Sequence, residues 1–258
     1  MDEVKPEPVR DDAPTTLGAR VEPAQDQKAA ANAVRQMFSS IAPRYDLLNH
    51  VLSFNVDRYW WWRTARRFRP IVRRHGATVL DLCCGTGDMT LALYRQAGPG
   101  GASIVGADFA HPMLCRAIQK SAGLRLQWVE ADALQMPFAD ARFNLVTSAF
   151  GFRNLANYDA GLCEIHRILA PEGEVAILDF GEPKGLLGQL YRFYFRRVLP
   201  AMGSLLSGTS GPYAYLPASV ARFPQPAEML ARMRAAGFRE VHYTPYTFGV
   251  AGLYWGKK

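Results

Sequence analysis

Val79-Leu80-Asp81-Leu82-Cys83-Cys84-Gly85-Thr86-Gly87-Asp88-Met89-Thr90 decides the fold. An apolar run ends on an acid, passes through a Gly-Thr-Gly turn and enters a helical pattern. That is a strand, a loop and a helix N-terminus, the place where an α/β sheet holds a nucleotide-like ligand. A dinucleotide site needs G-x-G-x-x-G, but Thr90 holds the third glycine position and Asp88 sits in the loop, where it would repel a pyrophosphate. A phosphate-cradling loop needs a lysine after its last glycine, and none is present. An acid-lined turn suits a ligand that carries positive charge. S-adenosylmethionine, with its sulfonium and ammonium, is such a ligand; a glycine-rich turn with no ligand is the plainer alternative.

On either side of this segment the pattern is regular. The spacing predicts strands at Thr78–Leu82, Ser103–Asp108, Leu126–Glu130, Phe143–Ala149 and Glu174–Phe180. Helices are predicted at Met89–Gln96, Pro112–Ala122, Asp159–Leu169 and Leu186–Leu199. Alternation of this kind gives a doubly wound, mostly parallel sheet with helices on both faces. A helix at Pro226–Ala236 and strands at Arg239–Tyr243 and Phe248–Trp255 then suggest an antiparallel C-terminal hairpin on the sheet edge. Upstream, helical patterning covers Ala29 to Ile41 and Tyr59 to Arg74, a predicted N-terminal helical lid. The domain reading is an acidic disordered tail over 1–27, a helical lid and substrate region over 28–75, and an α/β domain over 76–258 with a lid insertion at about 186–225.

Composition narrows the class. The net charge of +7 hides a tail, residues 1–26, with three Lys/Arg and seven Asp/Glu, so the remainder carries +11. Such an excess fits an anionic surface or substrate. The N-terminus has no apolar core of a secretory signal, and the longest apolar runs have strand length. The four cysteines form no C-x-x-C or His/Cys cluster, which argues against a zinc site and fits a reducing cytoplasm. Cys83 and Cys84 read as small turn residues, with a redox pair as the sharper alternative.

In an open α/β sheet, ligands sit beyond the carboxyl ends of the strands. Asp81, Asp108, Asp132 and Ala149 all fall there. Asp108 can accept both hydroxyls of a ribose, and Asp132 stands where an adenine would lie. With Gly85, Thr86 and Gly87 of the turn, and Phe109, Met113 and Ala133 beside the acids, these are the candidate cofactor-binding residues. No metal site is expected.

Further motifs carry a resemblance. Phe38-Ser39-Ser40-Ile41-Ala42-Pro43-Arg44-Tyr45-Asp46-Leu47-Leu48-Asn49 continues into Leu52-Ser53 and Asp57-Arg58-Tyr59-Trp60. Phe150-Gly151-Phe152-Arg153-Asn154-Leu155 is followed by Glu164-Ile165-His166-Arg167-Ile168-Leu169-Ala170-Pro171-Glu172-Gly173. Tyr213-Ala214-Tyr215-Leu216-Pro217-Ala218-Ser219 precedes Arg222-Phe223-Pro224. From about Val34 to Trp255 the chain resembles the ubiquinone/menaquinone C-methyltransferase family, class I S-adenosylmethionine-dependent enzymes. It departs from that pattern at Cys83 for the first loop glycine, Ala149 for a cofactor-contacting serine, Asp57 for a histidine, Asp179 for a glutamate and Gly211-Pro212 for Asp-Ser. Cys83 implies a turn less dependent on glycine. The Leu47-Leu48-Asn49 and Asp57-Arg58 versions look like the demethylmenaquinone branch.

The resemblance implies methyl transfer from S-adenosylmethionine to a ring carbon of a demethylated polyprenyl quinol. Arg153, Asn154 and Asp57 are then the candidate catalytic residues: Arg153 stabilising a quinolate or holding a water, Asn154 orienting a ring oxygen, Asp57 a base or else a helix cap. Tyr45 resembles a residue that closes over the cofactor. Methylation of another lipid or amphiphile, such as a phospholipid amine, is the alternative, and a non-catalytic cofactor-binding scaffold is the alternative of another class. A bilayer-resident acceptor implies transient contact with the inner face of the membrane from the cytoplasm. Arg58-Tyr59-Trp60-Trp61-Trp62-Arg63 and Tyr191-Arg192-Phe193-Tyr194-Phe195-Arg196-Arg197 offer the aromatic and basic residues for it. No nucleic-acid module is apparent, and a homodimer is allowed.

Overall fold

The computed structural model describes residues 27–42, 53, 55–181 and 211–258, together with Gly18, Pro183 and Gly188. Tyr45, the stretch Tyr191–Arg197, the helix expected at Leu186–Leu199 and almost all of the acidic tail lie outside the described residues.

Seven strands form one sheet in the order β3-β2-β1-β4-β5-β7-β6. These are β1 Thr78–Leu82, β2 Ser103–Asp108, β3 Leu126–Glu130, β4 Phe143–Ala149, β5 Leu169–Phe180, β6 Arg239–Tyr246 and β7 Ala251–Lys257. The first five are parallel. β7 runs antiparallel between β5 and the edge strand β6. The first four strands have the bounds the apolar runs imply. β5 starts five residues earlier than its apolar run, because Leu169 pairs with Phe143 before a register shift.

The helices are α1 Gln27–Ile41, α2 Val56–Arg67, α3 Arg69–Val72, α4 Asp88–Ala97, α5 His111–Lys120, α6 Tyr158–Ile168, α7 Gly211–Arg222 and α8 Pro226–Ala235. The single helix expected over Tyr59–Arg74 is two, α2 and α3. Phe68 leaves helical geometry between them, and Pro70 then sits in the first turn of α3, where proline costs no hydrogen bond. α7 was not anticipated, since its sequence contains Pro212 and Pro217, which break helical patterns.

Strand alternation divides the core. Leu80, Leu82, Val105, Val146 and Ile177 face α6 and α8. Val79, Ile104, Leu145, Ala176 and Leu178 face α2, α3 and α4, where Trp60, Phe68, Val72 and Leu93 are buried. Strands buried on both faces read as continuous apolar runs, which is why the sequence marks them so sharply. α2 and α3, placed with the lid in the sequence reading, thus pack into the body of the sheet. α1 instead is pinned over the strand ends by the Arg35–Glu130 ion pair.

Candidate functional site

An open cleft lies beyond the carboxyl ends of β1, β2 and β4. Eight anticipated residues line it: Gly85, Asp108, Phe109, Met113, Asp132, Ala133, Ala149 and Asn154. Phe38 and Ala31 of α1 line it too, as do Cys83, Phe150, Gly151 and Leu155. The sequence reading passed over these lining residues because apolar side chains carry no chemical signature, although Phe38, Phe150, Gly151 and Leu155 stand inside the quoted motifs.

Asp108 organises the floor. Its two oxygens accept from Gly85 N at 2.9 Å and from Ala110 N at 2.8 Å. One carboxylate therefore fixes the β1–α4 loop to the end of β2. Burial pushes its pKa up, and the amides of Ala110, Gly85 and Phe109 pull it back. Each carboxylate oxygen has a second lone pair left for ligand hydroxyls. Asp132 is exposed at the rim, with Oδ1 accepting from Leu134 N at 2.9 Å.

Asp81 does something different from what its place at a strand end suggested. It is fully buried and accepts from Thr90 Oγ1 at 2.6 Å and Thr147 Oγ1 at 2.8 Å. It ties β1, β4 and α4 together beneath the cleft and does not line it. Burial raises its pKa from the ordinary aspartate value to about 7, against the two threonine hydrogen bonds. Unfolded, the same group loses its proton near pH 4. Between about pH 4 and 7 the folded protein therefore holds a proton that the unfolded chain has released, and this group's contribution to stability falls as pH rises. Asp81→Asn is expected to gain on the natural protein as pH goes from about 4 to 8, by up to about 1.4 kcal/mol per pKa unit of the shift. Urea midpoints at the two ends of that range check it; a difference that does not change with pH would show that Asp81 is ionised in the fold.

Other loop residues are also internal. Thr86 is buried and accepts from Lys120 Nζ at 3.2 Å. Gly87, at φ 86°, precedes α4, and a Cβ there would stand 2.6 Å from the Trp128 ring. Asp88 is paired with Lys120 at 2.7 Å, so its charge is answered by an ion partner rather than offered to a ligand. The negative field of the cleft comes from Asp108 and Asp132, which line it.

Cys83 has φ 54° and Phe150 φ 58°. Both leave strand ends side by side in the left-handed region that favours glycine. The substitution of the first loop glycine has therefore not relaxed the turn: a residue with a Cβ bears a glycine conformation. Gly151 makes room for it, since a Cβ there would lie 2.4 Å from the Cys83 Cβ. Both cysteine thiols are pushed well up by burial and by the surrounding aspartates. They stay protonated, which disfavours the redox-pair alternative. Ser148 points to the face opposite Ala149. Its Oγ is buried and turned away from the cleft lining, so it does not stand in for the serine at position 149 that the resemblance implies.

The candidate catalytic residues separate. Asn154 is on the cleft wall, and its Oδ1 accepts from Tyr215 of α7 at 3.1 Å. Tyr215, quoted in a motif but not singled out, is thus a site residue the sequence reading missed. The Arg153 side chain is 5 % exposed and is paired with the fully buried Asp179, Nη1 to Oδ1 at 2.8 Å. It also donates to the Phe150 carbonyl, and Asp179 Oδ2 accepts from Arg153 N at 3.0 Å. Arg153 lies behind the wall and holds the Phe152–Asn154 turn; it does not line the cleft. Asp57 is buried in the first turn of α2, accepting from Arg58 N at 2.7 Å, and is also absent from the lining. The N-cap of α2 is Asn55, so Asp57 is not the helix cap either.

The donor set fits S-adenosylmethionine: a carboxylate for the ribose, apolar Phe109 and Met113 for the base, and negative potential for the sulfonium and ammonium. With the strand order, it defines a class I S-adenosylmethionine-dependent methyltransferase. Among solved structures, the chain resembles a methyltransferase of this type from Aquifex aeolicus, with TM-score 0.54, 16% identity, and 75% of this chain and 88% of that chain covered. It also resembles a possible histamine N-methyltransferase from Thermotoga maritima, with TM-score 0.57, 16% identity, and 86% and 99% covered. At such identities these show the fold alone. The ubiE/COQ5 methyltransferase family matches residues 24–258, and the chain belongs to it. A relative from Thermus thermophilus named demethylmenaquinone methyltransferase is 49% identical over 225 residues, 86% of this chain and all of the relative. One of the same name from Deinococcus radiodurans is 46% identical, covering 92% and 97%. A ubiquinone/menaquinone biosynthesis C-methyltransferase from Geobacter sulfurreducens is 44% identical, covering 87% and 88%.

Proposed function

We propose that the protein methylates a ring carbon of a demethylated polyprenyl quinol, with demethylmenaquinol as acceptor and a ubiquinol precursor as a second substrate. The observation that carries this reading is the make-up of the cleft. An apolar wall of Phe150, Leu155 and Ala156 suits a flat ring, and a single side-chain amide, Asn154, interrupts it. The names of the relatives, which match this chain over nearly their whole length, support it.

When bound, S-adenosylmethionine supplies an electrophilic methyl group. Asp108 accepts its ribose hydroxyls, and Asp132 stands at the rim beside the base. Phe150 and Leu155 hold the acceptor ring and keep water from its face. A neutral aromatic carbon is a poor nucleophile, and a phenolic hydroxyl has a pKa of about 10. Once the hydroxyl proton has passed to solvent, a donor to the ring oxygen stabilises the anion and so raises the share of acceptor whose adjacent carbon is electron-rich. Asn154 provides that donor: the Tyr215 hydroxyl occupies Oδ1, which leaves the Nδ2 hydrogens for the acceptor. The Arg153–Asp179 pair, neutral as a whole, positions the turn that carries Asn154. α1 closes the cleft as a lid, and the enzyme meets its acceptor peripherally at the inner face of the membrane.

Tyr215→Phe is expected to lower kcat about three- to tenfold, the worth of one hydrogen bond, while the KM for the cofactor is unchanged. An unaltered kcat would remove Tyr215 from the reaction. The function itself is tested by methyl transfer from labelled S-adenosylmethionine to demethylmenaquinol and to ubiquinol precursors, in detergent under reducing conditions. Product on both supports the reading in full, and product on the naphthoquinol alone keeps demethylmenaquinol and removes the ubiquinol precursor. No product on either, with cofactor binding intact, overturns it.

A further inference from the structure

Three exposed aromatic residues stand on α2 or on the turn fastened to it. Tyr59 is 49% exposed, Trp62 42% and Phe248 84%. Tyr59 and Trp62 stack on the outer side of α2, ring centroids 5.9 Å apart. Phe248 stands at the tip of the β6–β7 turn, and that turn is fastened to the same helix. Trp60 Nε1 donates to Thr247 Oγ1 at 2.8 Å, and the Arg63 guanidinium lies 4.3 Å from the centre of the Tyr246 ring.

Phe248 adopts φ 57°, ψ 22°, a left-handed conformation that asparagine or glycine holds far more easily than a bulky residue. The turn thus carries both backbone strain and a nearly bare phenyl ring. Neither helps the fold. The surrounding charge has one sign: α2 bears Arg58, Arg63, Arg66 and Arg67 against the single acid Asp57, which is buried. Among the described residues, Arg58, Arg63 and Arg66 form no ion pair with a carboxylate. A second copy of the chain would bring arginines against arginines. Aromatic rings flanked by arginines suit the headgroup region of a bilayer, with rings at the acyl boundary and guanidiniums on phosphates.

We propose that α2 and the Thr247–Gly249 turn form a docking face for an anionic bilayer surface, with Phe248 and Trp62 inserted and the α2 arginines on lipid headgroups. This rests on the polyprenyl reading above and deepens it by assigning the membrane contact to one face. That face is also coupled to the cleft. Trp60, buried beneath it, packs on Phe150 at 5.7 Å between centroids, and Phe150 lines the cleft. The docked face and the acceptor wall are one aromatic layer apart.

The test is co-sedimentation of the full chain with phosphatidylcholine vesicles, with and without about one third phosphatidylglycerol. Expected is binding at least about tenfold tighter to the anionic vesicles, weakening with salt, as several surface arginines imply. Phe248→Asn should keep or raise the thermal midpoint, since asparagine tolerates the left-handed turn, yet weaken vesicle binding about fivefold or more through loss of the inserted ring. The double variant with Trp62→Glu should bind no better than to neutral vesicles. Activity of both variants on a short-chain quinol in detergent should match the natural protein. Equal binding to neutral and anionic vesicles overturns the proposal. So does unchanged binding by Phe248→Asn, or displacement of vesicles by single-stranded RNA at matched phosphate. Vesicle binding that follows the prediction while detergent activity is absent would uphold the docking face and reject the quinol reading.

Discussion

Asp179→Ala is expected to cost about 3–5 kcal/mol of stability, the usual loss when one partner of a buried ion pair is removed. The Arg153 guanidinium would remain beneath the cleft wall, 4% exposed as a residue, with its counter-charge gone. Asp179 does more than balance that charge. Oδ2 accepts from Arg153 N at 3.0 Å and Oδ1 from Phe180 N at 2.9 Å. Two backbone amides therefore lose their acceptor as well. For a chain of this size the thermal midpoint should fall by roughly 10 °C. Replacing both partners, Arg153→Met with Asp179→Leu, should recover part of the stability but not the turn geometry, so kcat stays low in both variants. Urea denaturation and turnover, measured together, decide it. A loss below about 1 kcal/mol would mean that water reaches the pair.

The second large effect is at Asp108. Asp108→Ala is expected to weaken binding of S-adenosylhomocysteine by about a hundredfold or more. Two hydrogen bonds to a charged group contribute about 1.5–3 kcal/mol each, and every 1.4 kcal/mol is about tenfold in affinity. The substitution also releases Gly85 N and Ala110 N, the amides that shape the loop. Asp108→Asn keeps one acceptor for an amide and should lose less. Calorimetric titration gives the numbers. A change smaller than about threefold, under 1 kcal/mol, would show that the carboxylate serves only the loop.

The contrast between Asp108 and Asp81 shows where sequence reading stops. Asp108 ends β2 and Asp81 is the last residue but one of β1, and both stand beside the Gly-Thr-Gly turn. Asp108 lines the cleft, while Asp81 is clasped by Thr90 and Thr147. Thr90 is nine residues away, but Thr147 reaches Asp81 only because β1 pairs with β4 in that register. Asp88 reads as a loop acid facing a cation until the end of α5 brings Lys120 onto it. Arg153 reads as a catalytic cation until Asp179, on the neighbouring strand, takes its charge. The Arg58–Arg63 motif marks an aromatic, basic helix, yet only packing against Phe150 and Phe180 makes Trp60 internal and leaves Trp62 outside.

Although β7 begins at Ala251 rather than at Phe248, which lies in the turn, the sequence by itself determined the bounds of the first four strands, the parallel sheet with its antiparallel closing hairpin, and eight of the residues that line the cleft. These follow from local periodicity: apolar runs of strand length, a turn that needs glycine, and strand ends that converge wherever such a sheet forms. The tertiary structure alone decided which charges are spent on partners and which face the ligand. A side chain's partner depends on strand register and helix packing between residues far apart in the chain, and no local pattern records that distance.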